Sequence, residues 1–96
     1  MEATIYKGQA HVYNPTTHKI VKSRNWRGKY TKEQVLEWMQ QRDKFLRDVN
    51  EFDTVMWGLW EDDGCYRMAA IRNDKKSKAG RHLKPMMVRY TFYPAK

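Results

Sequence analysis

One stretch of this 96-residue chain, TKEQVLEWMQQRDKFLRDVN, repeats its apolar residues at helical spacing, and it lies between short runs that alternate instead. That contrast restricts the fold more than any other feature. TKEQ is a capping-box pattern: the Thr31 oxygen can accept from the Gln34 amide while the Gln34 side chain reaches back. Val35, Leu36, Met39, Leu46 and Val49 follow at steps of three, four and seven. Trp38, Arg42 and Phe45 fall near the edges of that stripe, and Glu33, Glu37, Gln40, Gln41, Lys44, Arg47 and Asp48 fall opposite it. Glu33 also suits the positive end of the helix dipole. The spacing predicts one helix over residues 32–50.

The flanking runs read as strands. Residues 4–13 (TIYKGQAHVY) are rich in β-branched and aromatic side chains, with Gly8 expected to form a bulge. Asn14-Pro15-Thr16-Thr17 is a turn sequence. Residues 18–26 (HKIVKSRNW) are expected to return as a second strand, ended by Arg27-Gly28-Lys29. Residues 54–61 (TVMWGLWE) and 65–72 (CYRMAAIR) flank Asp62-Asp63-Gly64, a strong hairpin signal because Gly tolerates positive φ after Asp. In residues 86–93 (MMVRYTFY), Met86, Val88, Tyr90 and Phe92 alternate with Met87, Arg89, Thr91 and Tyr93. The order ββαβββ predicts a single α+β domain over residues 1–96: an antiparallel sheet of about five strands with one helix packed on it. The link at residues 73–85 is expected to be a flexible basic loop.

Hydrophobic residues are 41% of the chain and aromatics 14%, with four Trp, enough to fold one core of this size without staples. The lone cysteine, Cys65, excludes an internal disulfide and a Cys-rich zinc site, and a free thiol fits a cytoplasmic location. Its expected role is that of a small buried hydrophobe. MEATIYKGQ has neither a basic start nor an apolar run, so no signal peptide is expected, and no run is long enough to span a membrane. His11, His18 and His82 are scattered, the acidic cluster Glu61-Asp62-Asp63 sits at a hairpin tip, and no glycine-rich phosphate loop is present. No metal or other cofactor is expected.

Net charge is +8, but its distribution matters more. Residues 19–32 hold six bases and no acid, residues 33–63 nine acids and three bases, and residues 72–84 six bases and one acid. Two positive segments flank a negative middle, an asymmetry that speaks to partners rather than to fold. Clustered Lys and Arg suit a phosphate backbone, whose neutralisation releases counterions and needs no fixed spacing. The candidate contacts are Lys22, Arg24, Asn25, Trp26, Arg27 and Lys29 in the first segment. In the second they are Arg72, Lys75, Lys76, Lys78, Arg81, His82 and Lys84. Trp26 could stack on an unpaired base or tuck against the helix as core; Tyr30 reads as the hydrophobic staple before Thr31. Met56, Met68, Met86 and Met87 read as core filler.

The expectation is a non-enzymatic accessory protein that contacts DNA or RNA, provided the two basic segments converge on one face. The alternative is a docking modulator or inhibitor of a larger nucleic-acid-processing or defence enzyme, of the phage host-takeover type, using its bipolar charge and surplus aromatics. A metal-free ribonuclease is a third reading; it would need His82 to face Glu33 or Glu37 beside the basic loop.

Overall fold

The structure, a computed structural model, describes residues 4–60 and 63–95. Five long elements match the expected order: strands β1 (Ile5–Tyr13) and β2 (Ile20–Asn25), helix α1 (Lys32–Asp48), and strands β4 (Thr54–Trp60) and β5 (Cys65–Arg72). Strand β8 (Met86–Pro94) completes the sheet, and three two-residue strands join them: β3 (Tyr30–Thr31), β6 (Lys75–Lys76) and β7 (His82–Leu83). The main sheet is antiparallel in the order β2-β1-β8-β5-β4, with β3 pairing to the start of β1. The C-terminal strand therefore lies at the centre.

The helix starts as the capping box dictates. The Gln34 amide donates to Thr31 Oγ1 at 3.2 Å, and the Thr31 amide donates to Gln34 Oε1 at 2.9 Å. Val35, Met39 and Leu46 are buried against Tyr66, Met68, Ala70, Val88, Tyr90 and Phe92 from the sheet. The last stripe residue does not follow: Val49 is the C-cap and stays 63% exposed. Glu51 takes a left-handed conformation (φ 55°) and reverses the chain, so that Phe52 rather than Val49 closes the core.

Other local expectations are corrected. Gly8 pairs in regular register with Phe92, and the irregularity in β1 lies between Val12 and Tyr13. The return strand begins at Ile20, after His18 turns the chain at φ 59°. The segment at 73–85 is not a featureless loop: β6 and β7 pair as a small hairpin, with Ser77 accepting from Gly80 and Arg81 in its turn. Met68 is fully buried, but Met56 is 63% exposed and is not core. Gly64 adopts φ +70°, as its hairpin turn requires; Glu61 and Asp62 of the acidic cluster lie outside the described residues.

Side-chain alternation assigns the two sheet faces. Val12, Ala10 and Gly8 of β1 share the helix side with Val88, Tyr90 and Phe92 of β8, and with Lys22 and Arg24 of β2. The helix contacts β3 and β4 more than the middle of the sheet, so it crosses diagonally. The half of the helix-side face near β2 is left open. Among the described residues no helix is long and apolar enough to cross a membrane, and no group of three or more His, Cys, Asp or Glu is placed to hold a metal.

Candidate nucleic-acid interface

The open half of the sheet and the flank of the helix form a groove. Its floor is Ala10, Val12, Val88 and Tyr90, one wall is Lys22 and Arg24 on edge strand β2, and Trp26 and Arg42 complete it, enclosing about 270 Å³. A second recess of about 370 Å³ adjoins it on the helix, lined by Trp38, Gln41, Arg42 and Phe45. Arg42 belongs to both. Among the described residues no carboxylate lines either one.

Arg42 lies among aromatic rings. Its guanidinium carbon lies 4.9 Å from the Trp38 ring centre, 5.1 Å from Phe45 and 5.7 Å from Tyr90. Its helical neighbour Asp43 does not answer it, because the Asp43 carboxylate faces β4, where it accepts from Arg47 at 2.6 Å and from the Trp57 indole at 3.0 Å. Burial raises the Tyr90 hydroxyl above its ordinary pKa, with Arg42 acting in the opposite direction, so this tyrosine stays neutral beside the cations.

Trp26 resolves towards core. It leaves the sheet edge where its amide donates to the Gly8 carbonyl at 3.0 Å, and it folds over the helix-side face. Its ring stacks on Phe92 (5.3 Å, 15°) and Tyr90 (5.9 Å, 12°) and meets the edge of Trp38 at 5.2 Å. Held this way, it forms the end of the groove and is not an open platform for a base. Tyr30 likewise packs edge-on against Phe92.

The second basic segment is partly committed to structure. Arg72 is buried, donating to the carbonyls of Asn50 (3.0 Å) and Lys84 (3.2 Å). That removes it from the surface. Lys75 pairs with Asp53 at 2.7 Å, and the Lys78 amide donates to Glu51 at 3.1 Å, so acids of the middle segment fasten the hairpin beside the helix C-terminus. Asp53 is held below its ordinary pKa, first by the Asn73 amide and then by Lys75. His82 faces Asp74, not Glu33 or Glu37, which lie at the far end of the helix. The side chains of Lys76, Lys78, Arg81 and Lys84 have no carboxylate partner among the described residues.

The two segments meet only in part. Tyr13 pairs with both Ile20 and Met87, so the β1–β2 turn and the 73–85 hairpin share one end of the sheet. Trp26 sits opposite Gly8, five residues away along β1 and about 17 Å at strand rise. Lys22 and Arg24 thus lie between the ends, Asn25 is exposed at the end of β2, and exposed Arg27 and Lys29 stand at the end opposite the hairpin.

Arg42 was visible in the sequence only as the edge of a helical stripe. Its importance comes from β2 lying across from it, which the helix period cannot report. Cys65 is buried, and burial first, then the Asp63 carboxylate, pushes its thiol up, which makes it a poor nucleophile. Comparison with known protein families, curated proteins and solved structures returned no match.

Proposed function

We propose that this protein is a small accessory factor that contacts the phosphate backbone of nucleic acid through the β2–helix groove and the neighbouring 73–85 hairpin. One observation carries the reading: Lys22, Arg24 and Arg42 line a single concave surface that contains no carboxylate among the described residues. Placing three uncompensated cations around one groove costs mutual repulsion, which an anionic polymer relieves by releasing its counterions. Lys76, Lys78, Arg81 and Lys84 stand on the hairpin that Asp53 and Glu51 fasten beside the helix C-terminus, and they add positive charge at one end of the sheet.

The test is affinity for DNA and RNA against salt concentration. On a single strand, three neutralised phosphates give a log–log slope of about −2, and seven give about −5. Reversing Lys76, Lys78 and Arg81 to Glu flattens the slope without unfolding, since none of the three has a carboxylate partner among the described residues. A flat salt response in the unaltered protein refutes the proposal.

A second reading rests on the opposite sheet face. Met56, Trp60 and Ile71 are exposed there beside Arg67 and Arg89, a composition suited to docking on a larger protein. Pull-down of a protein partner that survives loss of the groove cations, with no nucleic acid bound, would favour that reading.

A further inference from the structure

We infer that the groove takes an unpaired strand rather than a duplex, with Arg42 as a preorganised fork for one phosphodiester. This rests on the nucleic-acid reading and narrows it.

Three observations converge. First, the Arg42 guanidinium carbon lies within 5.7 Å of the ring centres of Trp38, Phe45 and Tyr90, while no described residue forms an ion pair with it. Ring contacts restrict a guanidinium without using its N–H donors, which stay free for bidentate contact with an anion. Second, Lys22 and Arg24 stand on the same side of one strand, two residues and about 6.6 Å apart, comparable to one nucleotide step of an extended chain. Third, apolar side chains lie between these cations. Ala10, Val12 and Val88 form the floor, and Phe45 is 42% exposed in the adjoining recess. A duplex would offer this floor only sugar and phosphate, whereas an unpaired strand can turn its bases onto it.

An acidic peptide would have to supply the anion and the apolar face from different residues. A nucleotide carries both an anion and a flat apolar face within one repeat. The proposed geometry places the phosphate on Arg42, with its neighbours on Arg24 and Lys22, and a base against Phe45 or the Val12–Val88 floor.

The experiment is a fluorescence anisotropy titration with a short oligothymidylate, a mixed-sequence duplex of the same length and polyglutamate. The unaltered protein is expected to bind the oligothymidylate at least about tenfold more tightly than the duplex. Arg42→Lys keeps the charge but loses the planar fork, and it should weaken oligothymidylate binding about tenfold, the scale of one charge-assisted hydrogen bond. Its duplex binding should change little. Should Arg42→Lys disturb folding, as near-UV circular dichroism would reveal, Arg24→Gln on the exposed edge strand carries the same test. Equal affinity for both polymers, falling alike for both in the variants, overturns the inference and leaves backbone contact through the groove standing; no loss in either variant overturns the groove itself. Polyglutamate binding as tight as the oligothymidylate overturns it in favour of an acidic protein partner. Binding of neither nucleic acid overturns both this inference and the function proposed above.

Discussion

Adding a single methyl group at Gly8 tests the packing that shapes one end of the groove. Gly8 lies in regular strand register, so alanine is acceptable to its backbone. The obstacle is steric. A Cβ at this position would lie 2.2 Å from Trp26 Cε3 and 2.7 Å from Phe92 Cε1. Non-bonded carbons rest at about 3.5–4.0 Å, so Trp26 must retreat by about 1.3 Å or more. It has little room, because it is stacked between Gly8 and the Trp38–Tyr90–Phe92 cluster. Overpacking of this kind costs about 1–3 kcal/mol, and each disturbed aromatic pair about 0.5–1.5 kcal/mol. Against this, alanine lowers the entropy of the unfolded chain, a gain of only about 0.4–1 kcal/mol. The net expectation for Gly8→Ala is a loss of about 3 kcal/mol, or about 12–24 °C in Tm for a domain of this size. Urea and thermal unfolding measure it, and the near-UV circular dichroism of the Trp cluster should change in parallel. A variant within about 0.5 kcal/mol of the parent, with an unchanged aromatic spectrum, would show that Trp26 is not seated on Gly8. It would then be available to stack on a base.

Two further expectations concern titratable groups. Asp63 is held at a pKa of about 2, first by the Arg67 guanidinium and then by the Cys65 amide. An unfolded aspartate titrates near 3.9, so the unfolded chain binds this proton more readily; the stabilisation is complete above about pH 4 and disappears as pH falls through about 2. Between those limits the Tm of the unaltered protein should fall more steeply than that of Asp63→Asn, and parallel curves would contradict the assignment. Cys65, buried with its thiol pushed up, should react with an aromatic disulfide at pH 8 far more slowly in the folded protein than in denaturant. Rapid stoichiometric labelling of the native state would contradict its burial.

How far the sequence carried depended on the range of each interaction. The helix start was readable because a capping box is complete within four residues, Thr31 to Gln34. The long strands were readable because alternation is a local property, and Gly64 announced its turn through its own backbone. These signals sufficed for an antiparallel sheet with one helix packed on it. The two-residue strands β3, β6 and β7 were beyond reach, since two residues carry no period; neighbours hold them in place. Trp26 could not be assigned from its surroundings in the chain, because the space beneath it is created by a glycine eighteen residues earlier.

Charge followed the same division. Residue order alone concentrates cations before and after an acidic middle, and it sets the helix, the long strands and a size sufficient for one core. Tertiary structure decided which of those cations remain available. Arg72 was drawn inside to carbonyls, Lys75 was matched by Asp53, and Arg27 was placed at the end away from the 73–85 hairpin. It also brought Arg42, from the acidic middle, opposite Lys22 and Arg24. Composition counts charges, whereas strand register and the helix crossing determine which charges share a surface. Those depend on contacts between residues far apart in the chain, which no local pattern encodes.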